Sequence, residues 1–298
     1  MRTSSRRRPL LPLGTLAVAS VLGAGAAFAA VALPELKATT LAEQARRPDR
    51  SVLLNADGAG PATTAVTTTT PPPPPKPILP FNAKLSSDDI PEATGGVRSG
   101  GCSGALIAPQ WIVTAGHCFH DVNDVRVGGK PLYTTVVTIG KLTTGERGGQ
   151  TAEVVDIRQS PLNDLAVAKL SVPVVDVVPL ALPSAPPVIG QRVQFAGWGS
   201  LSATVITPTD HLKRGEFTVS AIAANELQAQ PVAPRTVENS PCPQDSGAPF
   251  FTTEDDRTGV LVAVESTGPA CPQPGAEIIS RVDVVADWIR DQTGIAPE

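Results

Sequence analysis

Short apolar runs, separated by turn residues, dominate the chain from residue 100 onward. Runs of this length bounded by Gly and Pro are typical of β-strands. The turn signals include the pairs Gly128-Gly129, Gly148-Gly149 and Pro186-Pro187. This spacing favours a β-sandwich or barrel over alternating strands and helices. The predicted strands span residues 105–108, 111–115, 133–139, 151–157, 165–170, 192–196, 217–222, 259–264 and 276–279.

The end of the chain has a different, helical period over residues 282–290. Val285, Ala286, Trp288 and Ile289 fall on one face of a helix, and the charged residues fall on the other. Such a pattern predicts a short amphipathic helix that packs through its apolar face. We interpret it as a structural cap.

The N-terminal third has neither pattern. Four arginines within residues 1–8 precede an uncharged apolar stretch over residues 10–33, which contains Ala27-Phe28-Ala29 near its end. This is typical of an export segment, and we assign residues 1–33 to a signal peptide or, because the stretch is long, a signal anchor. Residues 34–81 are rich in Thr and Pro and are expected to form a disordered linker or a pro-region.

Composition narrows the class of protein. The chain has 298 residues, of which 41% are hydrophobic, so it is long enough to bury a full core. Its formal net charge of −4 is too small to indicate nucleic acid or an anionic membrane surface as a partner. We expect membrane contact only through the N-terminal segment.

The four cysteines are expected to pair, because the chain carries an export signal and their number is even. Pairing Cys102 with Cys118, and Cys242 with Cys271, would enclose two short loops, although other pairings are open. A zinc site is the rival interpretation, but the sequence contains no C-x-x-C or H-E-x-x-H spacing. We therefore predict no metal and no organic cofactor.

Three segments carry candidate chemistry. They are Thr114-Ala115-Gly116-His117-Cys118, Asn163-Asp164-Leu165-Ala166 and Asp245-Ser246-Gly247. A serine hydroxyl is a weak nucleophile that needs a base within hydrogen-bonding reach and a third group to orient that base. Histidine, aspartate and serine in this chain order are the parts of a nucleophilic hydrolase.

Through these three segments the chain resembles the chymotrypsin-like serine endopeptidases, of the secreted bacterial type. Gly197-Trp198-Gly199, Pro249 and the terminal Trp288-Ile289 also match, and the resemblance covers about two thirds of the chain. It implies an all-β fold of two packed six-stranded antiparallel β-barrels with a short C-terminal helix, here over residues 82–298. It also implies a monomer that hydrolyses peptide bonds in protein or peptide substrates, secreted or tethered outside the cell.

The resemblance assigns the roles. His117 would be the general base, Asp164 would orient it, and Ser246 would attack the carbonyl through an acyl-enzyme. The backbone N–H groups of Gln244 and Ser246 would form the oxyanion hole. Gln244 and Ala248 stand where the family usually has glycine, and a non-glycine residue at positive φ costs about 1–2 kcal/mol. Because of that strain, the Gln244 peptide could be flipped, and the protein would then be a catalytically silent binding module. The other alternative to a peptidase is a structural envelope protein.

Asp245 bears on activation. In many relatives this aspartate pairs with a new N-terminal amine, released by cleavage between a basic residue and Ile-Val-Gly-Gly. No such sequence precedes Cys102. We predict that activation does not use this switch or that Asp245 has an internal partner.

Motif alignment also gives a primary specificity pocket. It places Ser240 at the base, Gly268 and Gly275 on the walls, and Ser266 near the substrate backbone. Since Ser240 supplies no charge, we expect an uncharged or apolar side chain before the scissile bond.

Overall fold

Twelve antiparallel strands form two closed barrels in residues 78–296, the part of the chain that the computed structural model describes. In the first barrel the strands are ordered β1-β2-β3-β6-β5-β4, and in the second β10-β11-β12-β9-β8-β7. The strands are β1 (Asn82–Pro91), β2 (Val97–Ala108), β3 (Trp111–Thr114), β4 (Thr134–Ile139), β5 (Gln150–Gln159), β6 (Ala166–Leu170), β7 (Arg192–Gly197), β8 (Lys213–Ile222), β9 (Glu226–Pro231), β10 (Pro249–Thr252), β11 (Val260–Thr267) and β12 (Glu277–Arg281).

Each barrel closes around its own apolar interior. In the second barrel, the rings of Phe195, Phe217 and Phe250 are all fully buried. The Phe217 and Phe250 centroids lie 5.2 Å apart in an edge-to-face arrangement, which is a favourable geometry for aromatic pairs. The first barrel buries many aliphatic side chains, such as Ile112, Val113 and Val167.

The two-barrel, all-β fold with a C-terminal helix is confirmed, and all nine predicted strands are present. Three strands were not predicted: β1, β9 and β10. In β9 only Leu227 and Ala229 face the interior, between exposed polar residues, so the apolar pattern is too sparse to detect. β10 is short and begins with proline. Leu79 and Phe81 are also fully buried, so packing begins a few residues before the expected boundary at residue 82.

The predicted C-terminal helix begins with a 3₁₀ turn, Asp283–Val285, and continues as α1 (Ala286–Thr293). Its buried residues Val285 and Ile289 join the core of the first barrel, while Asp287 is exposed. Gly294 ends it at φ 74°, and its N–H donates to the Arg290 carbonyl at 2.8 Å. Neither this helix nor the 3₁₀ turns within residues 78–296 could cross a membrane. The export segment, and the linker up to residue 77, lie outside the described residues.

Candidate active site

His117 and Asp164 are brought together by the pairing of two neighbouring strands. His117 lies in a 3₁₀ turn that follows β3, and Asp164 lies two residues before β6. These strands are antiparallel, with Thr114 opposite Ala166, so the end of one and the start of the other meet at the same barrel edge.

The two side chains form a close pair. His117 Nδ1 lies 2.7 Å from Asp164 Oδ2, and the His117 backbone N–H donates to Oδ1 at 2.8 Å. The Ser266 hydroxyl also donates to Oδ2, at 2.7 Å. Burial alone would raise the pKa of Asp164, but the hydrogen bonds and charge of His117, together with the Ser266 hydroxyl, lower it overall. The carboxylate is therefore an ionised acceptor that fixes the imidazole ring.

Ser246 comes from the second barrel, in the loop before β10. It lines the same cavity as His117, a space of about 390 Å³. No hydrogen bond joins the Ser246 hydroxyl to the imidazole within residues 78–296, and such contacts are often long before substrate binds. The Ser246 carbonyl accepts from Ser103 N–H at 2.9 Å, which ties the serine loop to the first barrel.

Two disulfides hold these loops, and both predicted pairings are confirmed. Cys102–Cys118 joins β2 to the histidine turn across 16 residues. Cys242–Cys271 joins the serine loop to the opposite wall of the cavity across 29 residues.

Gln244 adopts a left-handed backbone conformation, with φ of 75°. Its carbonyl accepts from the Ser103 hydroxyl at 3.2 Å. Within the described chain, the N–H groups of Gln244 and Ser246 donate no hydrogen bond, whereas the Asp245 N–H between them donates to the Cys242 carbonyl at 2.9 Å. The N–H groups of Gln244 and Ser246 therefore have no acceptor in residues 78–296, and they flank the Asp245 N–H, which has one. Ala248, the other departure from glycine, is fully buried in the second barrel.

Asp245 has an internal partner, as predicted. Lys213 Nζ lies 2.5 Å from Asp245 Oδ2, and both side chains are 0% exposed. The N–H groups of Gly199 and Cys242 also donate to this carboxylate, at 2.7 and 2.9 Å. Burial raises the pKa of Asp245, and the Lys213 ammonium acts against that rise. A side chain at Gly197 or Gly199 would overlap the carboxylate, which explains both glycines of Gly197-Trp198-Gly199.

Lys213 itself was missed from the sequence, although a signal existed. Along β8 the inward positions are Lys213, Gly215, Phe217 and Val219, and the residues between them are exposed or half-buried. A lysine on the inward face of a strand needs a buried anion, and Asp245 is that anion.

The cavity beside Ser246 differs from the predicted specificity pocket. Ser266 and Gly268 line it, but among the described residues Ser240 and Gly275 lie outside its lining. Ser240 is fully buried, and its hydroxyl bonds to Asn239 Oδ1 at 3.0 Å. The lining also includes two carboxylates that sequence reasoning missed, Glu265 and Glu277.

The fold is that of the chymotrypsin-like class, with two six-stranded antiparallel barrels and a short C-terminal helix. Comparison with known proteins narrows the class. The family model described as "Trypsin" matches residues 81–289, and the chain belongs to that family.

Similar curated proteins include "Brachyurin" of Leptuca pugilator, 29% identical over 212 residues, which covers 66% of this chain and 89% of that protein. "Epidermal growth factor-binding protein type B" of Mus musculus is 27% identical, covering 71% of this chain and 87% of the relative. "Trypsin-3" of Homo sapiens is 28% identical, covering 64% of each.

Proposed function

We propose that the chain is a serine endopeptidase that hydrolyses peptide bonds through an acyl-enzyme. Membership of the trypsin family supports a serine peptidase at the level of the family. The observation that carries the proposal for this chain is the pairing of His117 with ionised Asp164 at the cavity that Ser246 lines. The imidazole is 43% exposed, so substrate can reach it.

The reaction follows from these positions. His117 Nε2 takes the proton from the Ser246 hydroxyl as Oγ bonds to the scissile carbonyl carbon. The resulting imidazolium gives the proton to the amine as the scissile C–N bond breaks. The amine departs, and the acyl group stays bonded to Ser246 as an acyl-enzyme. Water then repeats the sequence, with His117 as base, and releases the acid. Asp164 holds the ring through Nδ1 and stabilises its charge.

The developing oxyanion needs donors, and the N–H groups of Gln244 and Ser246 supply them in this proposal. Their lack of other acceptors supports the assignment. Loss of one such donor typically costs about 10²–10³ in rate. A flipped Gln244 peptide would remove one donor and favour the silent binding module.

We further propose that the protease is a monomer, secreted or tethered outside the cell by residues 1–33. Two disulfides support an oxidising compartment. The relatives named above are animal proteins and do not support the bacterial type in particular.

A fluorophosphonate probe tests the proposal directly. We expect it to label folded protein at Ser246, located by mass spectrometry of the digested chain, and to be blocked in Ser246→Ala. Ser220→Ala, an exposed serine on β8, is a matched control that should label normally. Folded wild-type protein that neither labels nor cleaves a peptide library would contradict the proposal and support the silent module.

A further inference from the structure

Asp164 lies at the centre of a tight turn whose main-chain carbonyls are both held by hydrogen bonds. The Asn163 carbonyl accepts from the Leu165 N–H at 3.0 Å, the two-residue span of a γ-turn. The Asp164 carbonyl accepts from the Ser280 hydroxyl at 3.0 Å. The direction of the Asp164 carboxylate therefore depends on the groups that hold this turn.

The guanidinium of Arg126 is one of these groups. Its Nη1 donates to the Asn163 carbonyl at 2.7 Å, so that carbonyl accepts from the side chain as well as from within the turn. The same nitrogen lies 3.8 Å from Asp164 Oδ1. Oδ1 also accepts the His117 backbone N–H, whereas Oδ2 contacts the imidazole. The carboxylate thus has the imidazole at one oxygen and the guanidinium near the other.

The main chain around Arg126 leaves room for the guanidinium at this position. Residues 119–127 fold back on themselves, and His120 and Arg126 form an antiparallel bridge. At Gly116, next to His117, an added Cβ would lie 2.8 Å from Nη1 and 3.0 Å from Cδ of Arg126. A side chain at residue 116 would push the guanidinium away from the turn, so glycine there leaves the space that Arg126 fills.

We propose that Arg126 is a positioning residue for the His117–Asp164 pair, and that its charge keeps His117 available as a base at lower pH. The hydrogen bond to the Asn163 carbonyl holds the turn and so sets the direction of the carboxylate. The guanidinium also opposes the imidazolium, because both cations lie near one carboxylate. Loss of the guanidinium should make the imidazolium easier to form. This rests on the proposed function, since only a catalytic His117 turns that change into a rate.

The other charged and titratable groups around the imidazole stay the same in every variant compared below, so a difference between variants isolates Arg126. These groups are His120, Asp121 and Asp124 in residues 119–127, Glu265 and Glu277 on the cavity wall, and the buried pair Lys213–Asp245 behind the serine loop. The Arg126 side chain is 38% exposed. Because solvent screens a part-exposed charge, we expect a shift of about 0.5 pH units from its removal.

Three variants separate the hydrogen bond of Arg126 from its charge. Arg126→Lys keeps the charge, Arg126→Gln keeps an N–H donor without the charge, and Arg126→Met keeps neither. In both neutral variants the acid limb of kcat/KM should move up by about 0.5 pH units, which lowers the rate at pH 6 relative to pH 8 by about threefold. Arg126→Lys should leave this limb in place. At pH 8, Arg126→Met should lose about two- to tenfold in kcat/KM, the range for one hydrogen bond, and Arg126→Gln less.

Arg147→Gln is the matched control, because it removes the same charge from an exposed position between β4 and β5 of the first barrel. It should change neither the acid limb nor the rate at pH 8. The shift in Arg126→Gln should shrink in about 1 M salt, which screens exposed charges. A lower rate in Arg126→Met with the acid limb unmoved in both neutral variants would overturn the proposal. An equal movement of the limb in Arg147→Gln would overturn it too.

Titration of the imidazole separates this proposal from the proposed function. In Ser246→Ala, which cannot turn over, the NMR signal of the His117 ring follows its ionisation directly and is assigned by comparison with His117→Gln. Its midpoint should rise by about 0.5 pH units when Arg126→Gln is added, and the same spectra show that each variant is folded. An unreactive Ser246 with this rise would sink only the peptidase. A reactive Ser246 without the rise would sink only the role of Arg126.

Discussion

At the scale of single residues, Gln244 is where the chain departs most from its family's pattern. Its φ of 75° is a region that side-chain-bearing residues adopt at a cost. Its side-chain Oε1 is also buried without a hydrogen-bond partner in the described chain. The conformation is held by neighbours: the Ser103 hydroxyl donates to the Gln244 carbonyl, and the Ser103 N–H donates to the Ser246 carbonyl. The serine loop thus retains a glycine-like backbone without glycine.

We predict that Gln244→Gly is more stable than Gln244→Ala by about 1 kcal/mol, because only glycine relieves the positive φ. Both variants remove the unpaired Oε1, so their difference isolates the backbone. Urea unfolding of both variants measures it.

Fluorophosphonate labelling of the same variants should be at least as fast in Gln244→Gly as in wild type. Greater stability of Ala than of Gly would contradict strain in the left-handed backbone, because alanine is favoured wherever its backbone conformation costs nothing. Faster labelling of Gly by tenfold or more would indicate that the wild-type peptide spends most of its time flipped.

At the scale of secondary-structure elements, period and turn signals predicted nine strands and the helix, because those runs carry several consecutive or alternating apolar residues. β1 and β9 escaped because their polar content hides the alternation. The partner of Asp245 was not located either: the alternation along β8 puts Lys213 on the inward face, but only the pairing of strands within the barrel brings it to Asp245. Pairing between distant strands is information that local pattern does not contain.

We predict that Lys213→Met lowers the free energy of unfolding by about 3–5 kcal/mol, because it leaves Asp245 buried without its cation. Ser246 labelling should fall too, since the same carboxylate holds the N–H groups of Cys242 and Gly199. The loss of stability should be smaller at pH 5 than at pH 8. Without the ammonium the pKa of Asp245 rises further, and a protonated carboxyl is cheaper to bury.

The double variant Lys213→Met/Asp245→Asn tests whether the loss of stability in Lys213→Met comes from the unpaired charge of Asp245. It should recover much of the stability, since neither charge of the pair remains buried, but not the labelling rate. Lys130→Met, at an exposed position, is the matched control. A Lys213→Met protein with unchanged stability and labelling at both pH values would contradict a structural role for the pair.

At the scale of the whole molecule, the candidate site exists only where the two barrels meet. His117 and Asp164 come from the first barrel, and Ser246 comes from the second. Asn163, next to Asp164, bridges the barrels by donating from Nδ2 to the carbonyls of Asn225 and Arg281, at 3.2 and 2.8 Å. The motifs predicted which residues would converge. They did not predict the cavity lining, because Glu265 and Glu277 face it through strand register and carry no motif.

The start of the described chain is anchored by the second barrel. Leu79 is fully buried, and its N–H donates to the Asp256 carbonyl at 2.6 Å, in the loop between β10 and β11. An amine released near residue 78 would lie next to this anchored residue. To pair with Asp245, it would have to displace Lys213 from a carboxylate that already accepts three donors.

We therefore predict that removing the N-terminal segment does not activate the protein. Ser246 labelling by a fluorophosphonate should differ less than about twofold before and after limited proteolysis between residues 34 and 77, because the Lys213–Asp245 pair already organises the serine loop. N-terminal sequencing identifies each terminus, and the rate of labelling is the measurement. In Lys213→Met, slow labelling should persist after the same cleavage. A tenfold gain on cleavage of wild-type protein would show that a new amine, and not Lys213, completes the site.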